Sequence, residues 1–300
     1  MDETLGTLIR LTESLQIVEE TAMDLELAGK SVLVVGGSSG LGRACALRFA
    51  EEGARVALVA RTESTLERVA TEIEERGGEV AWWPSDFSDT AEVQRVVKEV
   101  RSHFGSIDKL ACTIGPNKPV EGRWRGPTER SYDSIAGDDD HWAYHYNQVL
   151  MTAVRPCRAV VPIMREQGGG SIVNICAISW RIYYPEMAAY SAMKSAISHF
   201  TKNLAKDASR DNIRVNAVMP GFIHSQDVDS IIDQISADLN IDRDAAFRHL
   251  NEEVLDNCTW SNRMGDPGEY ANVIAFLLSD RASYVTGAAI NVDGGSNYVF

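Results

Sequence analysis

The sequence predicts an α/β chain in which one parallel sheet is covered by helices on both faces. Two observations predict it. From Ser31 onward, short apolar runs of the kind a fully buried strand requires alternate with segments of helical periodicity. The first of these runs meets the first helical segment at a glycine-rich turn, the junction that opens a strand-helix-strand unit. At 300 residues, 44% of them hydrophobic, the chain can bury one sizeable core. No linker, internal repeat or low-complexity stretch is visible, so a single domain is expected over residues 25–300.

The elements follow in order. Strands are expected at Ser31–Val35, Arg55–Ala60, Val80–Pro84, Leu110–Ile114, Ser171–Cys176, Ile213–Met219 and Ala289–Val292. Helical patterns fall between them, at Gly42–Glu52, Ser64–Arg76 (closed by Gly77-Gly78), Ala91–Phe104 and Pro267–Leu278. Residues 1–24 precede the repeating pattern; Leu5, Leu8, Ile9, Leu15 and Val18 sit near helical spacing, which reads as an amphipathic extension. Two stretches exceed simple connections. Residues 116–140 mix Pro, Gly and charge, and residues 224–262 read as a helical insertion on the substrate side, with helices near Val228–Leu239 and Arg243–Leu255.

The glycine-rich turn is Val35-Gly36-Gly37-Ser38-Ser39-Gly40-Leu41-Gly42. Gly36 and Gly40 can take backbone angles closed to other residues, and Gly42 allows the helix to lie close to the strand. The helix that follows points unpaired N–H groups and the positive end of its dipole into the turn, and both favour a phosphate. Ser38 and Ser39 add hydroxyls, and Leu41 belongs to the same turn. This is a dinucleotide site of Rossmann type. The second strand ends at Ala60-Arg61. An NAD-selective site usually carries Asp or Glu there, to accept from the ribose 2′-hydroxyl. A guanidinium stands there instead, able to pair with a 2′-phosphate, with Arg43 as a helper. NADP(H) is therefore favoured, and NAD(H) stays open.

Tyr190 and Lys194 lie in a segment rich in Ala, Met and Ser that should be helical. Their i,i+4 spacing puts both side chains on one face, about 5–6 Å apart at Cβ. A phenol is a poor base at neutral pH, and a neighbouring ammonium stabilises the phenolate. The pair can then act as a general acid/base.

With these motifs in this order, the chain resembles the short-chain dehydrogenase/reductase family over roughly residues 27–300. Gly36 to Gly42 resembles the family's T-G-x-x-x-G-x-G turn. Asp86-Phe87 is similar to its adenine-contacting pair, Asn147 to its helix asparagine, and Tyr190 and Lys194 to its catalytic pair. Pro220-Gly221 resembles the turn beside the nicotinamide, which brings Ile223 to the cofactor, and Asp293-Gly294-Gly295 resembles the ending of its last strand. The resemblance implies hydride transfer between the nicotinamide and a carbonyl or secondary alcohol. Tyr190 would move the proton, Lys194 would hold the nicotinamide ribose, and Asn147 would support a water that links Lys194 to solvent. It also implies a homotetramer or homodimer. The alternative is a cofactor-binding scaffold or regulator with weakened catalysis. The i,i+4 spacing of the pair argues against an enoyl reductase.

Three positions depart from the family pattern. Its threonine at the head of the turn is Val35. Its N-N-A-G is Cys112-Thr113-Ile114-Gly115, which keeps Thr113 and Gly115 as cofactor candidates but loses the asparagines. Its serine thirteen residues before the tyrosine is Ala177. Ser179, two residues on, would lie roughly 6–7 Å further along an extended chain, and only a curled loop brings it in. Otherwise the substrate oxygen relies on Tyr190 alone, or on Tyr183 or Tyr184.

Other readings are blander. A net charge of −14 disfavours nucleic acid. Cys45, Cys112, Cys157, Cys176 and Cys258 are scattered and odd in number, which reads as reduced thiols. No run approaches the roughly 18 apolar residues of a membrane span, and no secretory signal is visible, so a cytoplasmic location is the default expectation. His141 and His145 share a helical spacing behind Asp138-Asp139-Asp140. An acidic helix N-terminus explains that run better than a metal site, and no metal is expected. Trp124, Trp142, Trp180, Tyr183, Tyr184 and Trp260 fall in segments that should border the pocket, and His224 follows the Pro220-Gly221 turn.

Overall fold

The computed structural model describes residues 23–115, 137–180, 187–254 and 259–296. The expectations for residues 1–22, Trp124, Tyr183, Tyr184 and Cys258 fall outside them. In chain order the elements are β1 (Ser31–Val35), α1 (Gly40–Glu51), β2 (Arg55–Ala60), α2 (Glu63–Glu74), β3 (Glu79–Pro84), α3 (Thr90–Phe104) and β4 (Lys109–Cys112). Then come α4 (Asp139–His145), a π-helical turn (Tyr146–Leu150), α5 (Met151–Glu166), β5 (Gly170–Ile175), a 3-10 turn (Ile178–Trp180), α6 (Ala188–Ala208) and β6 (Ile213–Pro220). The chain ends with α7 (Gln226–Leu239), α8 (Arg243–His249), a second π-helical turn (Leu250–Val254), α9 (Pro267–Leu278) and β7 (Ala289–Val292).

The seven strands form one parallel sheet in the order β3-β2-β1-β4-β5-β6-β7. Alternation along the strands divides the core in two. Leu33, Val35, Ala57 and Val59 face α3, α5 and α6. Val32, Val34, Val56 and Leu58 face α1, α2 and α9. A strand sandwiched this way must be apolar on both sides, and β1 is buried along its whole length. The edge strands β3 and β7 are only partly buried.

Most of the expected elements shift by one or two residues at an end, and two of the shifts change the reading. The ladder of β4 runs Lys109–Cys112 rather than Leu110–Ile114, because its partner β1 ends at Val35, opposite Cys112. The expected Arg243–Leu255 helix is α8 followed by the π-helical turn. Helix ends carry the expected chemistry. Asp89 accepts from Ala91 N at 2.7 Å at the start of α3, and Gly105 closes that helix at φ 79°. Asp266 and Glu269 form a capping box at the start of α9, with Pro267 in its first turn.

Strand order reverses between β1, which is followed outward by β2, and β4. Crossovers therefore leave in opposite directions, and a crevice opens at the carboxyl ends of these strands. The β1–α1 turn lies there. Gly36 (φ 93°) and Gly40 (φ 47°) occupy the left-handed region. Gly42 is held by crowding: a Cβ there would overlap the Gly36 carbonyl and stand 2.6 Å from Thr113 Oγ1. Gly42→Ala should therefore destabilise the fold by about 2–3 kcal/mol, as overpacked sites do. Urea denaturation checks this, and a midpoint equal to wild type would refute the close approach.

Candidate active site

The carboxyl edge of the sheet gathers nearly all the residues singled out from the sequence. The turn of β1 brings Gly36, Gly37, Ser38, Ser39, Gly40, Leu41 and Gly42, with Gly36 N donating to the Val59 carbonyl at 2.8 Å. Ser39 is the N-cap residue of α1, yet its side chain makes no capping bond. Arg61 stands exposed where β2 ends. Arg43, the expected helper, is held instead by Glu72 of α2. Beyond β3, Asp86 is exposed and accepts from Ser88 N at 2.9 Å. Phe87 is 1% exposed within the core. Its ring packs inward, so at the crevice it offers backbone rather than an aromatic face.

Thr113 answers one of the departures. Its N and Oγ1 both donate to the Val35 carbonyl, at 2.9 and 2.8 Å. A hydroxyl from β4 thus ties the strand ends together although Val35 itself carries none. Thr113 Oγ1 and Ile114 also crowd Gly36, where a Cβ would meet them at 2.9 Å.

α6 carries Tyr190 and Lys194 on successive turns. Lys194 is 2% exposed, and its Nζ donates to the Ile175 carbonyl at 2.8 Å. Nζ also lies 5.5 Å from the centre of the Tyr190 ring. Gly115 makes room for it: a Cβ there would collide with Nζ and stand 3.0 Å from Cε. Burial lowers the Lys194 pKa to about 8, an effect that the nearby Cys176 opposes. Burial likewise raises the Cys176 thiol to about 12, against the pull of Lys194. The seat of α6 on β5 is set by Asn174, whose Nδ2 donates to Thr201 Oγ1 at 2.9 Å in the core.

Asn147 lies in the π-helical turn, and its carboxamide oxygen accepts from Arg155 Nη2 at 2.6 Å. That bond ties the carboxamide oxygen to α5. The polar side chain that α4 sets against Tyr190 is His145, their rings 6.3 Å apart and nearly perpendicular. Neither contact, of Asn174 with Thr201 or of His145 with Tyr190, was legible in the sequence. Asn174 lies in an apolar strand, and His145 was read only as one half of a metal pair. Asp138 is the N-cap of α4 and accepts from His141 N at 2.9 Å, in keeping with the acidic N-terminus reading.

After β5 the chain curls into the 3-10 turn, the condition under which Ser179 can come in. Ser179 is 7% exposed, and its hydroxyl oxygen is buried without a hydrogen-bond partner. Beyond β6, Pro220 is buried, and Gly221 N donates to the Val292 carbonyl at 3.0 Å. Gly221 packs so closely on Asp293 that a Cβ would stand 2.7 Å from its Cα. Ile223 pairs with Gly265 through its backbone. His224 Nδ1 lies 3.2 Å from Asp229 Oδ1 on α7.

A nicotinamide dinucleotide fits this edge. Gly36 and Gly40 hold the turn in left-handed backbone, and no protein atom stands within 4 Å of where a Cβ at Gly40 would be. α1 aims its N-terminus into the turn, and no carboxylate follows β2 at Arg61.

The comparisons agree with this geometry. A family model described as enoyl-(acyl carrier protein) reductase matches residues 35–297. The chain is 32% identical over 267 residues to the 3-oxoacyl-(acyl-carrier-protein) reductase FabG of Staphylococcus aureus (strain Mu50), covering 89% of this chain and 97% of that protein. It is 32% identical over 275 residues to the levodione reductase of Leifsonia aquatica, covering 90% and 94%. Among solved structures, L-sorbose reductase from Gluconobacter frateurii, complexed with NADPH and L-sorbose, superposes with a TM-score of 0.82 at 32% identity, covering 93% of this chain and all of that one. No described helix is long and apolar enough to cross a membrane.

Lys194 sets a pH test. A base whose folded-state pKa lies below its ordinary value loses its proton earlier in the folded protein. Between about pH 8 and the ordinary 10.5 the unfolded chain holds the extra proton, so this group makes stability rise with pH across that window. Urea titrations at several pH values should show wild type gaining stability relative to Lys194→Met there. Parallel profiles would show that Lys194 is not held as described.

Proposed function

Because the chain belongs to the short-chain dehydrogenase/reductase family, we propose that it interconverts a carbonyl and a secondary alcohol with NADP(H), using Tyr190 as the general acid/base. The observation that carries this reading is the buried Lys194 ammonium 5.5 Å from the Tyr190 ring, at the edge where the β1 turn and Gly115 converge. When bound, the nicotinamide dinucleotide supplies or accepts the hydride. Gly36, Ser38, Ser39, Gly40, Leu41 and Gly42 would hold its diphosphate, and Arg61 the 2′-phosphate. Asp86, the backbone at Phe87, Thr113, Gly115 and the Pro220-Gly221-Ile223 segment would line its remaining length.

In the reductive direction Tyr190 gives its proton to the carbonyl oxygen, and in the oxidative direction it takes the hydroxyl proton. Lys194 favours the phenolate and so brings the Tyr190 acidity towards the working pH. Ser179 supplies what Ala177 lacks. A buried hydroxyl without a partner costs about 1–3 kcal/mol, and a substrate oxygen would satisfy it. The NADP(H) preference is supported by Arg61 at the end of β2 and by the NADPH bound to the sorbose reductase neighbour.

The test is loss of NADPH absorbance over a panel of 3-oxoacyl thioesters, cyclic diketones, ketoses and quinones, with an enoyl thioester as contrast. Carbonyl turnover should vanish in Tyr190→Phe, while NADPH binding persists. Reduction confined to the enoyl thioester would overturn the substrate class. Tight NADPH binding with no turnover on any member would favour the scaffold reading that Ala177 suggests. Ser179→Ala should lower kcat about ten-fold or more, the scale of one lost charge-stabilising donor. Its melting temperature should be unchanged or higher, and kinetics equal to wild type would remove Ser179 from the site. Arg61→Ala should cut the kcat/KM preference for NADPH over NADH about ten-fold or more, as loss of a charge-assisted pair does. Comparable efficiency with both cofactors in wild type would refute the preference itself.

A further inference from the structure

His145 is a buried titratable side chain that the chemistry above does not use. It ends α4 and has no exposed surface. Its Nδ1 lies 3.0 Å from the His141 carbonyl. A carbonyl only accepts, so Nδ1 carries a proton and donates to it. The imidazole is also clamped by its neighbours. The His141 ring lies 4.5 Å away at 56°, and the Tyr144 ring 5.4 Å away at 81°. His141 itself needs the glycine before the helix: a Cβ at Gly137 (φ 93°) would stand 2.6 Å from His141 Cδ2. A side chain held this firmly has one orientation to offer, and it offers it to Tyr190. The two rings stand 6.3 Å apart at 82°, within the range of edge-to-face pairs. The same phenol has the Lys194 ammonium 5.5 Å from its centre.

We propose that His145 is a positioning residue for Tyr190, which fixes the rotation of the phenol ring and keeps its surroundings polar enough for the proton to leave. The proposal rests on the hydride-transfer reading and deepens it. The π-helical turn begins immediately after His145 and carries Asn147 to Arg155, so α4 meets the tyrosine with an imidazole. Among the described residues, the titratable groups facing this pair are Lys194 on α6, His141 and Tyr144 on α4, and Cys176 at the end of β5. None of them would substitute for the imidazole. Lys194 is engaged with Ile175, His141 and Tyr144 reach His145 itself, and Cys176 stays protonated through neutral pH.

Two variants test it. His145→Phe keeps an aromatic ring and removes both nitrogens; His145→Gln restores an amide of similar reach. The ionisation of Tyr190 is read from tyrosinate absorbance, as the difference between each protein and the same protein carrying Tyr190→Phe. His145→Phe should raise the Tyr190 midpoint by about half a pH unit or more, since a less polar neighbour disfavours the phenolate. The acid limb of alcohol oxidation should move with it. Its kcat should fall about ten-fold, less than the roughly 10²–10⁴-fold of losing the acid/base itself, while KM for the cofactor stays within about two-fold. His145→Gln should recover most of the shift. An unmoved midpoint in His145→Phe overturns the proposal, and a lower melting temperature beside that unmoved midpoint marks the residue as packing only. If Tyr190→Phe left turnover intact, the hydride-transfer reading would fall, whereas the absorbance difference would still decide the role of His145.

Discussion

An ammonium group taken out of water has to be met by oxygen, and at Lys194 one backbone carbonyl, that of Ile175, meets it. Several features of the chain serve that contact. Pairing of β5 with β4 stops at Asn174, and the next carbonyl, Ile175, accepts from Lys194, while Cys176 N still donates to the Val218 carbonyl of β6 at 2.8 Å. The Asn174–Thr201 bond holds α6 at the right height on the sheet. Gly115 must lack a side chain, because Nζ and Cε occupy the space one would need. The desolvation that lowers the Lys194 pKa follows from the same burial. Tyr190 lies one helical turn away, its ring centre 5.5 Å from Nζ.

The crevice that receives these side chains follows from topology. Parallel strands all end on one edge, and the reversal of order between β1 and β4 splits the loops to either side. Residues distant in sequence, from Gly36 to Gly221, therefore converge without any single element being unusual. Departures from the family pattern are absorbed by neighbours at this edge. Thr113 supplies from β4 the hydroxyl that Val35 lacks on β1. The 3-10 turn after β5 holds Ser179 in a buried position two residues beyond Ala177.

Much of this was legible in the linear chain, for reasons that can be stated. Strands buried on both faces show as uninterrupted β-branched and aliphatic runs, so β1, β2, β5 and β6 could be read within a residue or two. The glycine turn shows because backbone angles and close packing there admit so few residue types. Other features were hidden. Arg43 looked available to a phosphate until the fold set it against Glu72, twenty-nine residues on. The sequence does not show that the Phe87 ring takes a place in the core, which leaves its backbone at the crevice. The turn after α4 is π-helical, with Asn147 bonded to Arg155 and His145 beside Tyr190, and helical periodicity does not reveal such a turn.

What the sequence by itself determined is therefore local: which runs become strands, where the chain turns tightly, and that a phenol and an ammonium share one helix face. Each depends on residues within a turn or two of one another, where covalent geometry and steric exclusion leave few alternatives. What only the tertiary structure decided is the partner each polar group finds across the fold: Ile175 for Lys194, Val35 for Thr113, Arg155 for Asn147, Tyr190 for His145. Those choices depend on how sheet and helices stack, and a shift of one residue exchanges one neighbour for another.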